Sequence, residues 1–158
     1  MDRKGYILCV DDEAAVVEAL KEQLLTYFAQ THEVVTALSA EEALEFIHAA
    51  ISEGEIIELI ITDQVMPGMK GDEFLTQVHK LLPDTMKILL TGQAGLDSAI
   101  RAINYGGLNR YYEKPWNMEV MAKDLAGLIQ KFRENLENQY LLNNLKKRIE
   151  ELERELRG

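Results

Sequence analysis

Short apolar runs, each ending in a polar or charged residue, alternate along the chain with stretches of helical spacing. Residues 6–10, Tyr-Ile-Leu-Cys-Val, are continuous and apolar, the pattern of a strand buried on both faces, and Asp11-Asp12-Glu13 ends them. Over residues 14–28, Val16, Val17, Leu20, Leu24 and Phe28 recur every three or four positions and predict a helix. Residues 33–37 predict a second strand. Ser39, with Glu42 three positions on, reads as a capping box opening a helix that uses Ala43, Leu44, Ile47 and Ala50 and ends near Gly54. Residues 57–62 predict a third strand, and residues 72–82 a third helix stopped by Pro83. A fourth strand over 86–91 is broken by Gly92, and a fourth helix over 97–105 ends at Gly106-Gly107. Residues 109–113 predict a short fifth strand closed by Lys114-Pro115, after which Asn117 caps a helix reaching Arg157. Five strand–helix units in strict alternation define an α/β chain with a parallel sheet, helices on both faces and right-handed crossovers.

The last helix is the anomaly, at about 40 residues against a mean of roughly 11–12. Its first half carries Met121, Leu125, Leu128, Ile129, Phe132 and Leu136, a stripe able to pack on the sheet. Its second half carries Leu142, Leu145, Ile149, Leu152 and Leu156, alternating by three and four as in a coiled coil. With Leu142 at position a, Arg148 falls at g and Glu153 at e, a match for a parallel homodimer. The register run backwards meets Asn138 and Asn135, so it slips there or uses polar layers. Two clean heptads also fit an overhanging helix with a solvated face. The expected organisation is a folded domain over 1–130 and a helical extension over 131–158.

Composition narrows the function. A net charge of −10 argues against a nucleic-acid binder. The basic cluster Lys146-Lys147-Arg148 is followed at once by Glu150, Glu151, Glu153 and Glu155, a mixed-charge helix face, and no helix-turn-helix pattern follows residue 116. Apolar content of 47 % is ample for a core. The lone Cys9 excludes a disulfide framework and suits a reducing cytosol. The apolar runs fall far short of the ~18 residues of a membrane span, and acids at Asp11 interrupt any signal peptide, so a cytoplasmic chain is expected.

The candidate chemistry follows from topology. All C-terminal strand ends of a parallel sheet face one edge. That edge would collect Asp11 and Asp12 from the first strand, Asp63 from the third, Thr91 from the fourth and Lys114 from the fifth. Each residue alone reads as a cap, a turn or a solvated lysine; their joint arrival is what points to a site. Packed carboxylates share a proton or hold a cation, and an all-oxygen set suits Mg2+ or Mn2+. A hard cation, a lysine and a hydroxyl beside a carboxylate form a setting for phosphoryl transfer to that carboxylate.

The segments Val10-Asp11-Asp12-Glu13, Asp63-Gln64-Val65-Met66-Pro67-Gly68-Met69-Lys70-Gly71, Leu90-Thr91-Gly92 and Tyr111-Tyr112-Glu113-Lys114-Pro115-Trp116 resemble the receiver domain of two-component response regulators. The resemblance spans residues 4 to about 130. It implies a flavodoxin-like, doubly wound (βα)5 fold with strand order 2-1-3-4-5, and a signalling switch rather than a turnover enzyme. It implies that Asp63 accepts a phosphoryl group from a histidine kinase or phosphotransfer protein. Asp12 would bind the metal directly and Asp11 through water, with Asp63 and the Val65 carbonyl completing the protein's share. Thr91 would hydrogen-bond the phosphoryl group and Lys114 would pair with it. Tyr111 occupies the aromatic switch position, and the face of the fourth helix, fifth strand and fifth helix would change with phosphorylation. Val65 and Gln93 stand where the family tunes hydrolysis; an apolar Val65 cannot position an attacking water, which implies a longer-lived phosphorylated state, although Gln93 could offset this. The wording around Thr91 and Lys114 also resembles receivers tethered to enzymatic outputs, so an output domain beyond Gly158 is expected, or a receiver with only its signalling helix. The competing reading is a Mg2+-dependent aspartyl-phosphate phosphatase of the haloacid-dehalogenase type. That class places its nucleophile after the first strand in an Asp-x-Asp arrangement, which this chain lacks. A nucleotide-binding flavodoxin-like module would need a Gly-rich loop after the first strand, also lacking.

Overall fold

The structure, a computed structural model, describes residues 4–92 and 95–158. In chain order the elements are β1 (Gly5–Val10), α1 (Ala14–Phe28), β2 (His32–Ala37), α2 (Ala40–Ser52), β3 (Ile57–Thr62), α3 (Gly71–Leu81), β4 (Met86–Thr91), α4 (Leu96–Gly106), β5 (Arg110–Glu113) and α5 (Met118–Arg157). Every strand pairing is parallel, and the sheet order is β2-β1-β3-β4-β5. The order reverses at β1 and β3, which creates a crevice at their C-terminal ends.

Strand pleat divides the core in two. Ile7, Cys9, Leu59, Ile61, Ile88 and Leu90 face α1 and α5. Leu8, Val10, Ile60 and Leu89 face α2, α3 and α4. Both faces of β3 and β4 are covered, which is why those strands are apolar at most positions rather than alternating, each broken by one charge, Glu58 and Lys87.

Local chemistry sets the element ends. Ser39 Oγ accepts from the Glu42 N–H at 3.0 Å, as the capping box requires. The Glu42 carboxylate reaches back one residue further than expected, to the Leu38 N–H at 3.1 Å. Asn117 Oδ1 accepts from the Val120 N–H at 3.2 Å and opens α5. In α5, Met121, Leu125, Leu128, Ile129 and Phe132 are buried. Leu136, expected on the sheet, is 42 % exposed and lies at the sheet's edge, lining a cleft with Ile57, Pro83 and Phe132. Leu142, Leu145, Ile149, Leu152 and Leu156 all lie exposed on the overhang.

Candidate functional site

Backbone ladders carry the candidate residues to one place. The Asp63 N–H donates to the Val10 carbonyl at 2.9 Å, and the Lys114 N–H to the Thr91 carbonyl at 3.1 Å. Strand pairing therefore extends one residue past each strand and fixes where the side chains start. The carboxylate oxygens of Asp11, Asp12 and Asp63 lie within 4.8 Å of one another. Asp11 and Asp63 are buried, whereas Asp12 is exposed at the mouth. Asp11 Oδ1 accepts from the Glu13 N–H at 2.9 Å, and Asp63 Oδ1 from the Gln64 N–H at 2.8 Å.

Lys114 closes the group from the far side. Its Nζ donates to Asp11 Oδ2 at 2.6 Å and lies 3.5 Å from Asp63 Oδ2. Burial disfavours this ammonium, but the Asp11 carboxylate, and after it Asp63, outweigh burial and hold its pKa above the ordinary lysine value. The carboxylate repulsion foreseen from the sequence is thus partly answered by a lysine. Thr91 is buried at the end of β4. Tyr111 stands opposite Leu89 in the β4–β5 register and is 36 % exposed. Val65 is 49 % exposed. Gln93 lies outside the described residues. The donor set consists of oxygens alone and sits beside an ammonium, chemistry that fits a hard dication.

The sequence reading passed over several polar residues buried in this fold. Gln64 and Asp72 are both buried and bonded to each other behind Asp63. Glu58 sits buried between His32 and Arg133. Lys87 is fully buried, its Nζ donating to the carbonyls of Leu82, Thr85 and Pro83 at 2.9, 2.8 and 3.3 Å. Burial pulls its pKa down to about 8. The visible signal was a charge inside an apolar run, in Ile-Glu-Leu-Ile-Ile-Thr and Met-Lys-Ile-Leu-Leu-Thr.

A parallel five-stranded sheet with three carboxylates and a lysine at its switch point defines a doubly wound α/β protein with an acidic, cation-ready site. Residues 7–126 match the Response regulator receiver domain family, and the chain belongs to that family. As a receiver domain it takes part in phosphorylation-dependent two-component signalling. It is 32 % identical over 133 residues to the hydrogenase transcriptional regulatory protein HoxA of Bradyrhizobium diazoefficiens, a match covering 84 % of this chain and 26 % of that protein. The chain therefore spans about a quarter of the length of that regulator. The signal receiver domain of an HD domain-containing protein from Pseudomonas fluorescens Pf-5 superposes with a TM-score of 0.73 at 27 % identity, covering 84 % of this chain and 99 % of that one. An adenylate cyclase structure from Rhodopirellula baltica gives 0.74 at 28 % identity, covering 89 % and 98 %. The phosphatase reading finds no support in these likenesses. Among the described residues no helix is long and apolar enough to cross a membrane.

Proposed function

We propose that Asp63 is the phosphoacceptor of this receiver and that α5 carries its state away from the sheet. The observation behind the reading is the convergence of Asp11, Asp12 and Asp63 within 4.8 Å, with Lys114 Nζ 3.5 Å from Asp63 Oδ2. An Asp63 oxygen attacks the phosphorus of a phosphohistidine on a kinase or phosphotransfer protein. The P–N bond breaks, its electron pair returns to the imidazole nitrogen, and the aspartate becomes an acyl phosphate. Water later attacks that phosphorus, releasing inorganic phosphate and restoring the carboxylate. Lys114 offsets charge on the phosphoryl oxygens, and the Thr91 hydroxyl donates to one of them. Asp12, Asp63 and the Val65 carbonyl would hold Mg2+ or Mn2+ directly. Asp11, whose oxygens already serve Glu13 and Lys114, would act through water. Once bound, the cation supplies positive charge to the transferring group.

Downstream, Thr91 moves toward the phosphoryl group, and Tyr111 turns inward behind it. That alters the face of α4, β5 and α5. The division into a receiver over 1–130 and an extension over 131–158 is supported by the loss of burial after Phe132. The extension carries a parallel homodimer seam, and an output domain beyond Gly158 or a separate target reads it in the cytoplasm. A half-exposed apolar Val65 favours a phosphorylated state that outlasts seconds.

A small phosphodonor with Mg2+ should add one phosphate per chain by intact mass, and Asp63→Asn should abolish it. Continuous turnover of phosphate esters, or unchanged labelling of the variant, would overturn the assignment. Decay within seconds would overturn the long lifetime alone.

A further inference from the structure

Behind Asp63 lies a chain of contacts that the acceptor chemistry does not use. Gln64 is 3 % exposed, and its side chain is held at both ends by one residue. Its Nε2 donates to Asp72 Oδ1 at 2.9 Å, and its Oε1 accepts from the Asp72 N–H at 2.8 Å. Asp72, equally buried at the start of α3, accepts at its other oxygen from Arg101 Nε of α4 at 2.7 Å. Arg101 Nη2 also reaches Ser98 Oγ at 3.3 Å. Burial alone would raise the Asp72 carboxyl, but the Gln64 amide and the Arg101 guanidinium together hold its pKa below the usual carboxylate value.

The backbone makes this arrangement stiff. The Gly71 N–H donates to the Gln64 carbonyl at 3.0 Å. A Cβ at Gly71 would collide with the Asp63 carbonyl oxygen and come within 2.9 Å of Gln64 Cα. A Cβ at Gly106 would lie 2.9 Å from Leu75 Cβ, so α4 rests on α3 with no slack. An apolar pair would fill the Gln64–Asp72 space without needing partners. What the polar pair adds is direction: it fixes the Gln64 peptide, whose N–H meets Asp63 Oδ1 at 2.8 Å.

We propose that Gln64, Asp72 and Arg101 form a positioning relay that ties α4 to the Asp63 carboxylate. The proposal rests on Asp63 being the phosphoacceptor. Asp63 Oδ2 faces Lys114, and Oδ1 faces the Gln64 N–H. Attack through Oδ2 leaves Oδ1 as a neutral carbonyl, and the Gln64 contact changes from a charge-assisted bond to an ordinary one. The locked Gln64 side chain passes that change to Asp72, and Asp72 to Arg101. Linkage makes the coupling reciprocal: loosening Arg101 at the surface makes Asp63 a poorer acceptor. The Arg101 side chain is 54 % exposed, so its removal spares the core.

The test uses the full chain with beryllofluoride and Mg2+ as the phosphoryl mimic. Fluorine NMR reads affinity and the environment at Asp63, and amide exchange reads α4. Arg101→Ala should weaken beryllofluoride about threefold or more, shift its fluorine signals and blunt the exchange response of α4. Arg101→Lys, which keeps a donor, should recover most of each effect. Gln64→Leu should match Arg101→Ala, and the double variant should be no worse than Gln64→Leu. If wild type binds and Arg101→Ala is indistinguishable from it, or if the two effects multiply, the relay is wrong while the acceptor reading stands. If wild type binds no better than Asp63→Asn, the acceptor reading falls and the relay with it. Should Gln64→Leu fail to fold by circular dichroism, the Arg101 pair decides alone.

Discussion

Glu58 shows how much one buried charge can organise. It is 5 % exposed near the start of β3, flanked on its strand by Ile57 and Leu59. His32 Nε2 lies 3.2 Å from its carboxylate, and Arg133 of α5 donates at 2.9 Å to one oxygen and 3.2 Å to the other. A Cβ on Gly5 would sit on that carboxylate, 2.6 Å from its carbon, so any other residue opening β1 would push Glu58 off its partners. Burial pushes the Glu58 carboxyl up; hydrogen bonds from His32 and then Arg133 more than reverse this, leaving its pKa below the ordinary value. A depressed folded pKa contributes stability above the unfolded value of about 4.3, and that contribution is lost as pH falls through the folded value. Arg133→Ala leaves burial opposed by His32 alone. We predict a loss of about 2 kcal/mol at pH 7, narrowing as pH falls towards 3, in urea melts taken across that range. A deficit constant with pH would rule the mechanism out. Glu58 was visible in the sequence as a charge interrupting an apolar run, but its partner 75 positions away was not. Which helix face overlies the N-terminal edge of the sheet is a matter of three-dimensional placement. Asp63 was the opposite case, because an acid at the end of a parallel strand is placed by topology alone.

At the level of elements, periodicity located all five strands and five helices to within a residue or two, since buried runs and helical stripes are local signals. Alternation gave only the class; the order β2-β1-β3-β4-β5 came from the motif resemblance, because nothing in an apolar strand specifies its neighbour. Leu136 is only partly covered for a related reason: a stripe does not record where the sheet beneath it ends. The handover in α5 has a geometric meaning. Phe132 to Leu142 is ten residues, which turns the seam roughly 80° from the sheet-facing stripe at 3.6 residues per turn. The seam therefore does not compete with the core, and a second helix can approach it without disturbing the sheet. In the single chain Arg148 pairs with Glu151 at 3.3 Å, an exposed contact worth a few tenths of a kcal/mol that a partner's Glu153 can displace. We predict that the wild-type chain has the mass of two chains by light scattering at tens of micromolar. Ile149→Lys, at an a position, should return it to the mass of one with helical content largely kept. A wild-type mass of one chain would remove the dimer.

On the scale of the whole molecule, a chain of net charge −10 gathers three of its carboxylates into one crevice and sets a single lysine ammonium among them. Lys114 and a bound dication answer the same negative charge, so they compete. Without metal, Lys114 stabilises the fold; its pKa is raised, so the contribution is full below the unfolded value of about 10.4 and is lost as pH rises through the folded value. Lys114→Met should therefore cost the metal-free protein about 1–2 kcal/mol at pH 7 and leave Asp11 and Asp63 without a counter-charge. Adding Mg2+ at about 100 times its dissociation constant stabilises any binding-competent fold by about 2.7 kcal/mol, several degrees in Tm for a chain of this size. At one fixed millimolar concentration the Tm gain should be larger in Lys114→Met than in wild type, because the cation no longer enters beside a repelling ammonium. Asp12→Asn should lose most of the gain, and chelation with EDTA should reverse it in both binding forms. Thermal melts with and without Mg2+ read all four cases. A gain in Lys114→Met equal to or smaller than that of wild type would mean the lysine assists the cation, and the electrostatic account of this crevice would have to be inverted.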